Sequence, residues 1–148
     1  KQTGRWAGRG ATVAFVVGGL LLVWSSYIHF HLWDSEGYRH IATIGPLFLL
    51  QSIAALVLGV LVVAVRRVWA AVLGVGFALS TLAGFLISVD YGLFGFKDSW
   101  QAPFASQAFA VELTAAVVLV VGGAICAAGS TPFSRAGKVS AGVSSTGV

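Results

Sequence analysis

Glu112 stands alone as a carboxyl within an otherwise uncharged run between Asp98 and Arg135. If that run crosses a membrane, the carboxyl must be protonated, paired or turned to a polar cavity, and intramembrane ionisable groups are functional candidates by default. Counted from Pro103, where a helix would begin, it lies about 13 Å along the axis at 1.5 Å per residue. His29, Ser25, Ser26 and Gln107 are its expected partners at similar depth. Two roles are open to it: a hydrogen bond that ties the fourth helix to the first, or proton relay and ligand binding. Gln51 and Gln107 enter the polar set through a faint internal repeat. Asp34-Ser35 is followed by Pro46, Phe48 and Gln51, and Asp98-Ser99 by Pro103, Phe104 and Gln107.

The three histidines, His29, His31 and His40, cluster in one stretch. On a helix, His29 and His31 point about 200° apart and cannot share a ligand, whereas in an extended segment both face one side. His29 or His31 with His40 and an acid, Asp34 or Glu36, would suffice to hold a metal. The i,i+4 pairing that makes helical metal motifs specific is absent, so hydrogen bonding at the membrane interface is expected and no metal is. The lack of methionine disfavours copper handling further. Cys126 has no second cysteine for disulfide exchange within the chain. No Ser/His/Asp constellation, phosphate-cradling glycine loop or paired-carboxylate motif is present, so the expected role is non-catalytic. Gly92–Phe96, Gly-Leu-Phe-Gly-Phe, is expected to be an aromatic turn at the membrane surface.

Gly76, Ser80, Gly84 and Ser88 form a row of small residues at four-residue spacing, with Gly74 and Ala78 on an adjacent row. Such rows let another helix approach closely, and close packing drives helix association in lipid. The partner is either a helix of the same chain or another subunit. Gly18, Gly19, Gly122 and Gly123 are further close-approach positions.

The elements that must position these groups follow from composition. Of 148 residues, 57% are hydrophobic and 9% charged, with mean hydropathy +0.91. Soluble domains are about 45–50% apolar and ~25% charged, so this chain cannot cover a water-soluble globule. Disorder and a disulfide-stapled scaffold are excluded by the same figures and the single cysteine. A formal charge of +4 comes from scattered basic residues without a basic face, which argues against nucleic acid. The expected partners are the lipid bilayer and other membrane subunits.

A spanning helix needs about 20 mostly apolar residues. Four runs qualify, giving an all-α, four-helix up-down bundle with helices near 11–33, 45–65, 68–90 and 103–128. A basic N-terminal segment, 1–10, and a Gly/Ser-rich tail, 129–148, flank them. Continuous apolarity excludes a β-barrel, whose strands alternate. The first run outlasts a signal-peptide core and lacks an A-x-A site, so it is retained. With four spans, one side holds Lys1, Arg5, Arg9, Arg66, Arg67, Arg135 and Lys138, against Arg39 and Lys97 on the other. That bias places both termini in the cytoplasm of a bacterial plasma membrane. Pro46 and Pro103 fall where the second and fourth helices begin. Trp24, Tyr27, Trp33, Tyr91 and Trp100 mark one membrane interface, and Trp6 and Trp69 the other.

The stretch from Tyr27 to Phe96 resembles a family of small actinobacterial integral membrane proteins with four transmembrane helices. The residues that carry the likeness are Ile28–Trp33 (IHFHLW), Gly37–Ile41 (GYRHI), Thr43–Gln51 (TIGPLFLLQ) and Gly92–Phe96 (GLFGF). About half of the chain is covered, and the segment from Gly37 to Gln51 is the most specific part. The resemblance implies a four-span fold and a lineage, and it carries no catalytic residue. Small size and the small-residue row point to a non-catalytic accessory subunit of a larger membrane complex, with a respiratory one in view. The alternative is a binder of a lipophilic ligand or cofactor (quinone, haem or lipid) in the outer half of the bundle, around Glu112 and His29. A small transporter ranks third, because one buried acid is a thin proton path.

Overall fold

The computed structural model describes residues 2–130, with side chains over 8–130. The chain forms four long helices, α1 (Gln2–Ser35), α2 (Ile44–Val65), α3 (Val68–Asp90) and α4 (Ala105–Ser130), and a short 3₁₀ turn at Tyr38–His40. Each of the four is long and apolar enough to cross a bilayer. The architecture is all-helical and that of a multi-pass membrane protein. Lys1, Arg135, Lys138 and the expected tail beyond Ser130 lie outside the described residues, as do the side chains of Arg5 and Trp6.

Two helix starts differ from expectation. α1 begins at Gln2, well ahead of Ala11. The apolar run marks where lipid begins, not where the helix does, and no proline precedes Ala11 to stop it. With 34 residues, α1 is about 50 Å long, more than the ~30 Å hydrocarbon core, so its basic first turns belong to the same rod. α4 starts at Ala105 and not at Pro103, because Phe104 takes a left-handed φ of 60° and breaks helical continuity. Pro46 sits in the first turn of α2, where its missing N–H costs no intrahelical bond.

α1 lies against both α2 and α4, and α3 leans on α4. Gly19 of α1 faces Gly59 and Val63 of α2, and further along Ser26 faces Ser52. On the other flank Gly18 meets Leu119 of α4, and Ser25 meets Glu112. Residue numbers fall along each neighbour as they rise along α1, so the pairings are antiparallel. The closest approach is reciprocal. A Cβ on Gly59 would stand 2.7 Å from the Gly19 carbonyl oxygen, and one on Gly19 would stand 2.7 Å from that of Gly59. Only glycine fits at both.

α2 and α3 are joined by Arg66 and Arg67, with Arg66 left-handed at φ 50°. They meet near this turn, where a Cβ on Gly74 would lie 3.5 Å from Val62, and a cleft separates them toward the other end. The end bearing this turn, the start of α1 and the end of α4 is the turn end; the opposite one, bearing the two longer connections, is the loop end.

The interior is layered along its length. An apolar core of Phe15, Leu22, Val62, Ala71, Ala115 and Leu119 fills the turn-end half. A second, of Ile28, Leu32, Tyr38 and Ile44, closes the loop end. Between them lie the buried polar side chains Ser25, Ser26, His29, Ser52 and Glu112. Trp24, Tyr27, Tyr91, Trp100 and Trp69 are exposed on the periphery, where interfacial anchors belong.

Candidate functional site

The polar layer is built across three helices. Ser25 and His29 are one helical turn apart on α1, so both face α4. The Ser25 hydroxyl donates to Glu112 Oε1 at 2.8 Å, and His29 Nε2 lies 3.9 Å from the same oxygen. His29 Nδ1 is 2.9 Å from the Ser25 carbonyl oxygen. A carbonyl only accepts, so Nδ1 carries the hydrogen, and Nε2 is the nitrogen that faces the acid. Glu112 is 2% exposed, His29 5% and Ser25 0%. The depth of Glu112 is about 10 Å from the start of α4 at 1.5 Å per residue. Gln51 of α2 approaches the same carboxyl closely enough to interact with it, yet its buried Nε2 completes no hydrogen bond of normal geometry.

Of the expected partners, His29 and Ser25 surround Glu112 and Ser26 and Gln107 do not, while Gln51, which entered only through the internal repeat, stands beside it. Ser26 turns to α2, where the Ser52 hydroxyl donates to the Ser26 carbonyl at 2.9 Å. With that hydrogen committed, the Ser26 hydroxyl is the donor in its 3.2 Å contact with Ser52 Oγ. Gln107 is exposed on the far side of α4. Sequence reasoning missed Ser52 altogether. Its place one residue beyond Gln51 on the buried side of α2 gave only a weak signal, since serine is common in membrane helices.

The histidines diverge, as residues two apart on a helix must. His31 packs outward between Tyr27 and Phe104, at ring distances of 6.0 and 5.3 Å, and lies 3.9 Å from Glu36. His40 is exposed and accepts from Arg39 Nε at 3.1 Å. Among the described residues no three of His, Cys, Asp and Glu come together, so the ligand set that the histidine cluster offered is not assembled.

A cleft of about 340 Å³ lies between α2 and α3 in the loop-end half. Its floor is His29, its walls include Gln51 and Phe48 on one side and Ser80, Thr81 and Gly84 on the other. The Ser80 and Thr81 hydroxyls donate back to the Phe77 carbonyl, which leaves their oxygens as acceptors. Overhead, Leu93 and Phe96 exchange backbone hydrogen bonds of 2.7 and 2.9 Å around Phe94 and Gly95, both at positive φ. That is a type I′-like turn, consistent with the aromatic surface turn expected at Gly92–Phe96. Phe96 packs on Tyr38 at 5.7 Å, and Tyr38 on Phe48 at 4.6 Å. Asp98 completes the roof: its N–H donates to Ser88 Oγ at 3.2 Å, and Oδ1 accepts the Ser99 N–H at 2.8 Å. Burial pushes the Asp98 carboxyl above its ordinary value, against the opposing pull of that Ser99 N–H. Burial first, then the charges of Asp98 and Glu36, pushes the Tyr38 phenol up to about 12.

The small-residue row divides. Gly76 and Ser80 are exposed, and a Cβ added at Gly76 or Gly84 would meet nothing within 4 Å. Packing inside the bundle is taken by Ser88 alone of the four, together with Ala71, Gly74, Ala78 and Leu82. A strict four-residue row winds about 40° around the helix per step, so its first members face out while its last faces in.

Comparison with protein-family models, with curated proteins and with solved structures finds no match to this chain.

Proposed function

We propose that this protein, set in a bacterial plasma membrane as an up-down bundle with both termini cytoplasmic, holds the polar head of a lipophilic ligand in the cleft between α2 and α3. The orientation rests on the arginine and lysine bias, which puts the loop end outside. The observation that carries the reading is the cleft itself, in which His29, Gln51, Ser80 and Thr81 stand among apolar neighbours. The Ser80 and Thr81 oxygens, left as acceptors by their bonds to Phe77, give a polar head group partners in an otherwise largely apolar gap. A volume of about 340 Å³ is at the lower end of small-molecule sites and suits a head group with the first carbons of its tail. A quinone ring or an acyl-ester head meets that description. The test is extraction of the detergent-purified protein and mass spectrometry of the lipids. One species enriched over the bulk membrane, and lost in Gln51→Leu, is expected. An extract with the composition of the surrounding bilayer from wild-type protein refutes it.

A second reading has its own support. The small residues left uncovered along α3, Gly76 on its outer face and Ser80 and Gly84 at the cleft, favour an accessory subunit that docks another membrane protein's helix on α3. The likeness to small actinobacterial four-span proteins is in keeping with such a role in a respiratory or other large assembly. A partner that co-purifies from native membranes, and is lost when Gly76 and Gly84 are both changed to leucine, is the expected result. A monodisperse single chain from the same membranes counts against it.

A further inference from the structure

Beneath the loop-end roof lies a second, smaller space of about 40 Å³, bounded by His29, Tyr38, Thr81, Asp98 and Glu112 among otherwise apolar neighbours. A site of this kind needs about 10–15 Å³ and two or more polar partners to hold a water, so there is room and chemistry for one or two. Asp98 is only partly buried, standing between this space and the water at the loop end. On the opposite side of Glu112 the interior is closed by Leu22, Val62, Ala115 and Leu119, each fully buried and apolar. The carboxyl therefore has a polar way out in one direction and a dry plug in the other.

We propose that Glu112 and His29 form a proton-binding pair that exchanges its proton with the aqueous phase at the loop end alone, through this space and past Asp98. Taken out of water, the two groups are cheapest with a single proton between them, which leaves the pair without net charge. Their 3.9 Å separation exceeds a direct hydrogen bond, and a bridging water closes it. A proton arriving at Asp98 passes along the enclosed water to the pair, and one leaves by the same route, so nothing is carried across the membrane. The titratable groups that face Glu112 are His29 from α1, Tyr38 from the 3₁₀ turn and Asp98 from the α3–α4 connection. α2 contributes only the uncharged Gln51, and the α3 residues at the space, including Thr81 and Leu82, do not titrate. The raised Asp98 carboxyl stays protonated to higher pH than a free one, which suits a donor at the entrance. This inference does not depend on any occupant of the cleft.

The chain has two glutamates, Glu36 and Glu112, so carboxyl-¹³C glutamate labelling gives two signals, and Glu112→Gln assigns them. The labelled protein is placed in vesicles, and the pH is stepped on one face at a time. The Glu112 signal is expected to follow steps on the face that carries Lys97 and to ignore steps on the face that carries Arg67. Asp98→Asn, which keeps the shape of the entrance, and Ala108→Leu, which fills the space from α4, should each slow the response at least tenfold. Circular dichroism of both variants confirms that the helices are retained. A signal that follows the Arg67 face, that responds to neither face, or that is as fast in both variants as in the wild type overturns the proposal.

Discussion

The Ser25 hydroxyl donates to Glu112 Oε1 at 2.8 Å across 87 residues of sequence. This bond ties α1 to α4 within their candidate membrane-spanning segments. Intramembrane hydrogen bonds contribute about 0.6 kcal/mol on average and up to about 1.7, and the low exposure of both groups places this one in the upper part of that range. Ser25→Ala is expected to destabilise the fold by about 1–1.5 kcal/mol. In a double-mutant cycle with Glu112→Leu, measured by denaturant unfolding in mixed micelles, a coupling near zero would show that the bond holds nothing together.

The glycines separate into two classes. Gly19→Ala and Gly59→Ala each drive a methyl into the facing backbone, which cannot rotate away as a side chain could. Overpacking of this kind costs about 1–3 kcal/mol, and both variants should lose thermal stability. Gly76→Ala and Gly84→Ala meet open space, and alanine in a helix gains about 0.5–1 kcal/mol over glycine. Midpoints of thermal unfolding for the four single variants check the contrast. A loss in Gly76→Ala equal to that in Gly59→Ala would contradict the packing described.

Asp98 gives the fold a pH dependence of definite sign. Its carboxyl binds a proton more tightly when folded than when unfolded, so its contribution to stability is fullest below the unfolded value of 3.8. It is lost as the pH rises through the higher folded value. Asp98→Asn removes this term: the variant should match wild type in acid and exceed it at neutral pH. Unfolding midpoints across a pH series decide the matter, and a variant less stable than wild type at neutral pH contradicts the sign.

Tyr38 acts at the other end of the scale. With the phenol held to about 12 against a reference of 10.0, its stabilising term is complete below pH 10 and disappears as the pH passes through 12. Ultraviolet titration of the folded protein should show a late phenolate step that Tyr38→Phe abolishes. If that variant keeps the late step, the phenol is not where its burial and acidic neighbours place it.

How far all this was legible depends on what each signal encodes. Apolar runs fixed the four helices, and α3 matches its expected limits at Val68 and Asp90. Helix starts were less legible: Phe104's positive φ has no counterpart in residue type, and the polar beginning of α1 looks like a tail when only hydropathy is read. Within the site, depth along a helix predicted that Glu112, His29 and Ser25 would meet. It could not separate Ser26, which turns to Ser52, or Gln107, which faces away, because rotation about an axis is set by which neighbours a helix chooses. The reciprocal glycine contact shows the same limit. Gly19 was visible as a small residue, but its partner Gly59 stands in a run of larger side chains with nothing to mark it.

The gap between α2 and α3 has a consequence for how affinity should be expressed. Its walls are drawn mostly from the candidate membrane-spanning segments of α2 and α3, so the lipophilic ligand proposed for it would arrive sideways, in the plane of the bilayer, without passing through water. Occupancy is then governed by mole fraction among the lipids rather than by aqueous molarity. A modest preference over ordinary phospholipid is enough to keep the gap filled when the preferred species is abundant, and diluting the protein in buffer will not empty it, whereas diluting it in lipid will.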